Sequence, residues 1–325
     1  MKYSLLLAIL FAIFTTNAAT TEQQGAIDEP STSLLTLLTE KQWIHGAEDC
    51  DTSEDPGLEV FQYDESSYIL RQSKCLSYEA PFIYVLVGDE KTLVIDTGAT
   101  ADAKAFPLYK TVLSLHQKHA RESQVDKREI LVMHSHSHSD HYSGDDQFIG
   151  QPNVTVIATN SAGIDEFLSF DKGLSQDVTL ELGGRNLTII QTPGHQDEAI
   201  SVYDAQTKWL LTGDTFYPGY VYVKDWDAYK NSIARLVLFS NSHTISAILG
   251  AHIERKSSAG EYYEVGTLYQ PQESSLVLMP NDLITLNEEL KKTDTPKKIS
   301  QNALIVEPLG FLPTLITNVV AWFIG

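Results

Sequence analysis

The chain has 325 residues, 42% apolar, 20% charged and 10% aromatic, a balance that supports a sizeable core and excludes an intrinsically disordered polypeptide. Its 43 acidic residues against 23 basic ones leave a formal net charge of −20, and no Lys/Arg cluster offsets that field. A polyanion such as DNA or RNA is thereby excluded as a partner.

The N-terminus opens with Met1-Lys2, an apolar stretch from Leu5 to Phe14 and the small pair Ala18-Ala19. This is the pattern of a secretory signal peptide over residues 1–19, with an uncleaved anchor as the alternative for a run this short. The expected location is therefore secreted or periplasmic. In an oxidising compartment Cys50 and Cys75, the chain's 2 cysteines, are expected to pair, the alternative being two buried thiols. Neither has CxxC spacing or a neighbouring His, so neither is placed as a zinc ligand.

Residues 20–33, polar and interrupted by Pro30, are expected to form a flexible leader to a domain spanning 34–308. Strand-like segments follow at Leu58–Gln62, Tyr68–Gln72, Phe82–Val87 and Thr92–Asp96, the last two joined by a turn through Gly88 and Lys91. Ala101–His119 carries helical periodicity broken only by Pro107, and Ile130–Met133 is a short buried strand. After it come a strand at Val154–Ala158 and a short helix opened by Asn160 or Ser161. Two strand pairs succeed these, Val178–Leu182 with Leu187–Gln191 and Ile200–Asp204 with Trp209–Thr212. A helix at Asp227–Phe239, a strand at Ala247–Leu249, a helix at Asn281–Lys291 and a strand at Ala303–Val306 complete the domain. Strand pairs flanked by helices in two successive halves imply two packed sheets with helices outside. The tail 309–325 is uncharged, and Thr314, Thr317, Asn318 and Ala321 share one helical face. It is expected to pack on the protein or to make peripheral membrane contact, and the two remain open.

Chemistry concentrates after the strand ending at Met133, in the run His134-Ser-His136-Ser-His138-Ser-Asp140-His141. A tight loop leaving a strand can turn alternate side chains toward one point, so that His136 and His138 share one metal while Asp140 and His141 face a second. Imidazole and carboxylate suit zinc, and also iron, manganese or nickel. The alternative is a polar loop with adventitious metal affinity. Three further strand ends each carry a ligand-type residue: Thr192-Pro-Gly-His195, Leu211-Thr-Gly-Asp214 and Ile248-Leu-Gly-Ala-His252.

Together these residues resemble the metallo-β-lactamase superfamily from about Pro81 to His252, with Phe82–Gly98 resembling its opening hairpin. The resemblance implies an α/β fold, a four-layer αββα sandwich. It implies two zinc ions per chain, with iron or manganese as alternatives. His136, His138 and His195 would bind the first ion, Asp140, His141 and His252 the second, and Asp214 would bridge them. Asp96 would support the metal loop from beneath, and His134 has no ligand role. The two ions would supply hydroxide to a small-molecule substrate near neutral pH, with Asp140 shuttling a proton. True β-lactamases of the family lack a bridging Asp, so Asp214 points instead to the branch that cleaves esters, lactones or thioesters. Phosphodiesterases and sulfatases also carry that Asp. Tyr217 lies where lactonases of the family place a phenol near the substrate carbonyl, and the alternative is that it packs its loop. Other classes implied are an iron-dependent persulfide dioxygenase and a non-catalytic metal binder. Oligomeric state is not legible.

Overall fold

The apolar periodicities of the sequence sort into layers in the computed structural model, which describes residues 32–120, 128–168 and 177–310. The chain opens with α1 (Thr32–Thr39), then β1 (Leu58–Gln62), β2 (Ser67–Gln72), β3 (Phe82–Val87) and β4 (Lys91–Ile95) as an antiparallel meander. Helix α2 (Leu108–Ala120) crosses over to β5 (Glu129–Met133), which pairs parallel with β4. The one-turn helix α3 (Ser139–Tyr142), β6 (Val154–Val156) and α4 (Ser161–Leu168) complete the first half, a six-stranded sheet in the order β1-β2-β3-β4-β5-β6.

The second half is built from β7 (Val178–Glu181), β8 (Asn186–Gln191), β9 (Ile200–Asp204), β10 (Trp209–Gly213), β11 (Tyr220–Val223), α5 (Trp226–Ser242) and β12 (Ala247–Gly250). It ends with β13 (Val277–Leu278), α6 (Pro280–Lys291), β14 (Ile299–Ser300) and β15 (Ile305–Pro308). Its main sheet runs β13-β12-β10-β9-β8-β7, and a small sheet β11-β15-β14 lies beside it.

Strands buried on both faces explain the continuous apolar runs. In β3, Phe82, Tyr84 and Leu86 pack between the two sheets against Leu211, Trp209 and Leu249, while Ile83, Val85 and Val87 pack outward with Leu108 and Val112 near the start of α2. The outer face of the second sheet, with Leu210 and Ile248, is covered by Tyr229, Ile233 and Leu236 of α5 and Leu283 and Leu286 of α6. Helix, sheet, sheet, helix: this is the expected αββα sandwich.

Three of the departures from the sequence expectations have a clear physical reason. The leader was set at 20–33, but α1 starts at Thr32, because Leu34, Leu35 and Leu38 recur at helical spacing and Leu38 is fully buried. The helix expected from Ala101 starts at Leu108. Pro107 restricts the residue before it, and 101–106 instead form a turn in which Asp102 Oδ1 accepts from Lys104 N at 2.9 Å. The strand β11 was not anticipated. Its alternation sends Val221 and Val223 into the α5–α6 core and leaves Tyr220 and Tyr222 on the other side, partly open.

Cys50 and Cys75 form a disulfide, so the pairing and not the two-thiol alternative holds. The signal-peptide segment and residues 311–325 of the tail lie outside the described residues. No described helix is long and apolar enough to cross a membrane.

Candidate metal centre

Parallel pairing brings strand carboxyl ends to one edge of the sandwich: β4 beside β5 in one sheet, β10 beside β12 in the other. The chain leaving β5 supplies His136, His138, Asp140 and His141, and those leaving β8, β10 and β12 supply His195, Asp214 and His252. The structure gathers all seven into two clusters, His136/His138/His195/Asp214 and Asp140/His141/His252. Each cluster takes residues from both sheets.

In the first cluster, His195 Nε2 lies 3.2 Å from His136 Nε2 and 3.1 Å from His138 Nδ1. In the second, His252 Nε2 lies 3.3 Å from Asp140 Oδ2 and 3.4 Å from His141 Nε2. Asp214 stands between them. Its Oδ2 faces His195 at 3.6 Å and His136 at 3.9 Å, while its Oδ1 faces His252 at 3.3 Å and His141 at 3.6 Å.

Outer hydrogen bonds decide which ring nitrogen faces inward with a lone pair. His195 Nδ1 donates to the Tyr222 carbonyl at 2.6 Å, and His252 Nδ1 to the Glu79 carbonyl at 2.8 Å. A carbonyl can only accept, so in the neutral ring Nε2 is left unprotonated. His141 Nδ1 donates to Asp96 Oδ2 at 2.9 Å with the same result. Asp96 also accepts from Ser135 N at 2.7 Å and Ser135 Oγ at 2.9 Å, fixing the first residues of the histidine loop. It does so from a left-handed backbone at φ 69°, which for a non-glycine residue is held only by surrounding contacts. His138 presents Nδ1 inward, and its Nε2 meets the side-chain amide of Gln196. His134 stands outside both clusters, its Nε2 2.9 Å from Asp145 Oδ1.

The two clusters differ in proton demand. Burial pushes His136 well below its ordinary value, lowers His195 and takes His138 down to about 4, so these rings are neutral. Burial also opposes charge on His141 and His252, but Asp140 and Asp214 respectively outweigh it and raise both. The same attraction overrides burial at Asp140 and Asp214 and holds both carboxyls well below the usual range. Two ionised carboxylates thus sit among buried rings and call for positive charge. Asp214 Oδ1 is buried with no hydrogen-bond partner. An orphaned carboxylate oxygen beside converging imidazole lone pairs fits a pair of divalent cations.

A cavity of about 330 Å³ opens on this edge, lined by five of the seven ligand-type residues, all but His136 and His141, together with Glu79, three tyrosines (Tyr217, Tyr220 and Tyr222), Glu254, Val265 and Leu309. Tyr217 is arranged as the loop-packing alternative has it. Its ring lines the cavity edge-on to His252, at 5.5 Å between centroids, but its hydroxyl donates to the Tyr220 carbonyl and is not free for a substrate oxyanion. Glu254 was missed, although its position two residues after His252 was a signal: in extended chain the two share a side. Its Oε2 accepts from Tyr220 N at 3.3 Å, and burial raises its carboxyl to about 7. Gln196, and the carbonyls of Glu79 and Tyr222, were also missed.

Comparison with known proteins bears on the family of the chain. Residues 79–247 match the description "Metallo-beta-lactamase superfamily", more than half of the chain. Over 100 residues the chain is 34% identical to hydroxyacylglutathione hydrolase of Legionella pneumophila (strain Lens), covering 30% of this chain and 37% of that enzyme. The match therefore spans little more than a third of that relative. It is 25% identical over 208 residues to acyl-coenzyme A thioesterase MBLAC2 of Homo sapiens, covering 52% of this chain and 72% of that one. Among solved structures, a metallo-beta-lactamase from Pontibacter korlensis aligns at 18% identity and a TM-score of 0.44, over 73% of this chain and 100% of that one.

Proposed function

Because the chain belongs to the metallo-beta-lactamase superfamily, we propose that it is an exported, dinuclear zinc-dependent hydrolase of a small ester, lactone or thioester. One observation carries the proposal: the two oxygens of Asp214 are divided between two donor clusters, 3.3 to 3.9 Å from the imidazole nitrogens on either side. His136, His138 and His195 would hold one ion, Asp140, His141 and His252 the other, and Asp214 both. Neutral imidazole with carboxylate suits zinc, with iron or manganese as alternatives. Such ions, when bound, lower the pKa of water toward neutrality and polarise a carbonyl oxygen.

The chain's own residues do the rest. Asp140, held ionised and partly open to the cavity, is placed to accept a proton from the nucleophile and return it to the leaving group. Asp96, Tyr222 O and Glu79 O lock the rings through their outer nitrogens. The relatives named as a hydroxyacylglutathione hydrolase and an acyl-coenzyme A thioesterase support thioester or ester chemistry over β-lactam cleavage. The Cys50–Cys75 disulfide and the N-terminal pattern support export.

Metal analysis of the purified full chain, followed by a panel of esters, lactones, thioesters and β-lactams, tests the proposal. The expected result is two zinc ions per chain and ester or thioester turnover that disappears in Asp214→Ala. A single iron per chain, or turnover that survives Asp214→Ala, overturns it.

A further inference from the structure

The cavity wall beside the ligand-type residues has an unusual charge balance. Among the described residues lining the cavity there is no Lys or Arg, while Glu79 and Glu254 bring two carboxyls that neither donor cluster uses. The wall is aromatic as well: Tyr217, Tyr220 and Tyr222 all line it, and alternation along β11 turns the last two to this side. Among the described residues no hydrogen bond engages the phenol oxygens of Tyr220 or Tyr222.

The position of the Glu254 carboxylate is built, not incidental. A Cβ at Gly219 would stand 1.7 Å from Glu254 Oε2, so only glycine lets the carboxylate lie there. The Tyr220 N–H then holds it at 3.3 Å. Two lysines come near without entering the cavity. Lys74, whose charge reaches Glu254 and Glu79, is buried behind the wall with Nζ donating to the Tyr78 carbonyl at 3.0 Å. Lys298, beside Tyr220, is paired with Glu307 at 2.8 Å.

A wall of tyrosine rings with an acidic side chain and no basic one attracts an organic cation by cation–π contact and through the ionised form of Glu254, and disfavours an anion on that side. We propose that this cavity takes a substrate bearing an ammonium or quaternary ammonium group, seated against Tyr220, Tyr222 and Glu254, with its carbonyl toward Asp214. Glu254 is the specificity-determining residue. The substrate class rests on the hydrolase function proposed above. It disfavours the polyanionic carrier of a coenzyme A thioester for this chain.

The test compares choline with its neutral carbon isostere 3,3-dimethylbutanol by calorimetry on the zinc-loaded full chain, and butyrylcholine with 3,3-dimethylbutyl butyrate and butyryl-coenzyme A as substrates. The cation is expected to bind about tenfold more tightly than the isostere, and Glu254→Gln to reduce that ratio to about twofold or less. Esters are expected to be cleaved in the order cationic, neutral, anionic. Equal binding of choline and its isostere overturns the inference, as does an unchanged ratio in Glu254→Gln or preferred cleavage of butyryl-coenzyme A. The wild-type comparison stands even if the variant fails to fold. Binding needs no turnover, so a retained cation preference without hydrolysis of any ester refutes the hydrolase function alone. Hydrolysis without a cation preference refutes the substrate class alone.

Discussion

Replacing Asp96 by Asn separates the two halves of the proposed metal centre. Asn tolerates the left-handed backbone at φ 69° as Asp does, so backbone strain is not what changes. One side-chain oxygen still accepts from Ser135 N, now 2.7 Å from Asp96 Oδ1. The amide group then occupies the place of Oδ2, which accepts from His141 Nδ1 at 2.9 Å and Ser135 Oγ at 2.9 Å. A donor facing the Nδ1–H drives His141 to its other tautomer, putting a proton on the nitrogen that should ligate. Losing a hydrogen bond to a charged partner costs about 1.5–3 kcal/mol, which corresponds to ion binding weaker by about 10–100-fold. Only the Asp140/His141/His252 cluster meets Asp96 directly, the other reaching it through Ser135 Oγ at 3.1 Å from His136 Nδ1, so the larger loss falls on one of the two sites. Zinc titration against a competing chelator is expected to show one class of site weakened far more than the other. Two unshifted sites, or two sites shifted equally, would refute the reasoning.

Three further outcomes are expected. Burial first, then Arg128 and His119, push His116 down to about 4 from 6.5, so the unfolded chain takes up a proton between those values that the folded chain refuses. Stability therefore falls as pH drops through that window, by up to about 3 kcal/mol at about 1.36 kcal/mol per unit. Urea denaturation of the wild type and His116→Gln at pH 7 and 4.5 checks this, and an equal acid loss in both proteins contradicts it. Tyr217→Phe breaks only the bond to the Tyr220 carbonyl, so kcat is expected to fall far less than the roughly 100-fold or more that follows loss of an oxyanion donor. A loss of that size in steady-state kinetics restores the catalytic role. Replacing Cys50 and Cys75 together by Ser releases a closure across 25 residues and is expected to cost about 3 kcal/mol, read as a lower Tm. An unchanged Tm counts against it.

The regular part of the fold was legible because its strands are buried on both sides. The bounds of β3 and β9 follow directly from the apolar runs Phe82–Val87 and Ile200–Asp204. What escaped was short or ambiguous. The two-residue strands β13 and β14 carry no period, and Tyr220-Val-Tyr-Val223 alternates but looks like an aromatic loop after Pro218-Gly219. The seven ligand-type residues were legible because His and Asp at strand ends are chemically conspicuous. Their supports were not, since His195 and His252 lean on carbonyls of Tyr222 and Glu79, and every residue has a carbonyl. Glu254 escaped for another reason: its proposed role depends on what surrounds it, a glycine and three tyrosines brought in by β11 and the turn before it.

The seating of the cluster between two sheets has a mechanical meaning. Gly213, at φ 49°, lies so near Ser135 that a Cβ there would stand 2.5 Å from the Ser135 Cβ, and the Ile200 amide donates to the Ser135 carbonyl at 2.9 Å. Tyr84 reaches across to the Gly250 carbonyl at 2.5 Å, and Phe82 N to the Ala251 carbonyl at 2.8 Å. These contacts clamp the rim of the sandwich, leaving the carboxylate of Asp214 as a caliper across the gap. Any loosening of the interior that parts the sheets by a fraction of an ångström is felt there long before the strands let go. At the proposed metal centre, ion occupancy would thus gauge how tightly the two halves of the molecule are closed on each other.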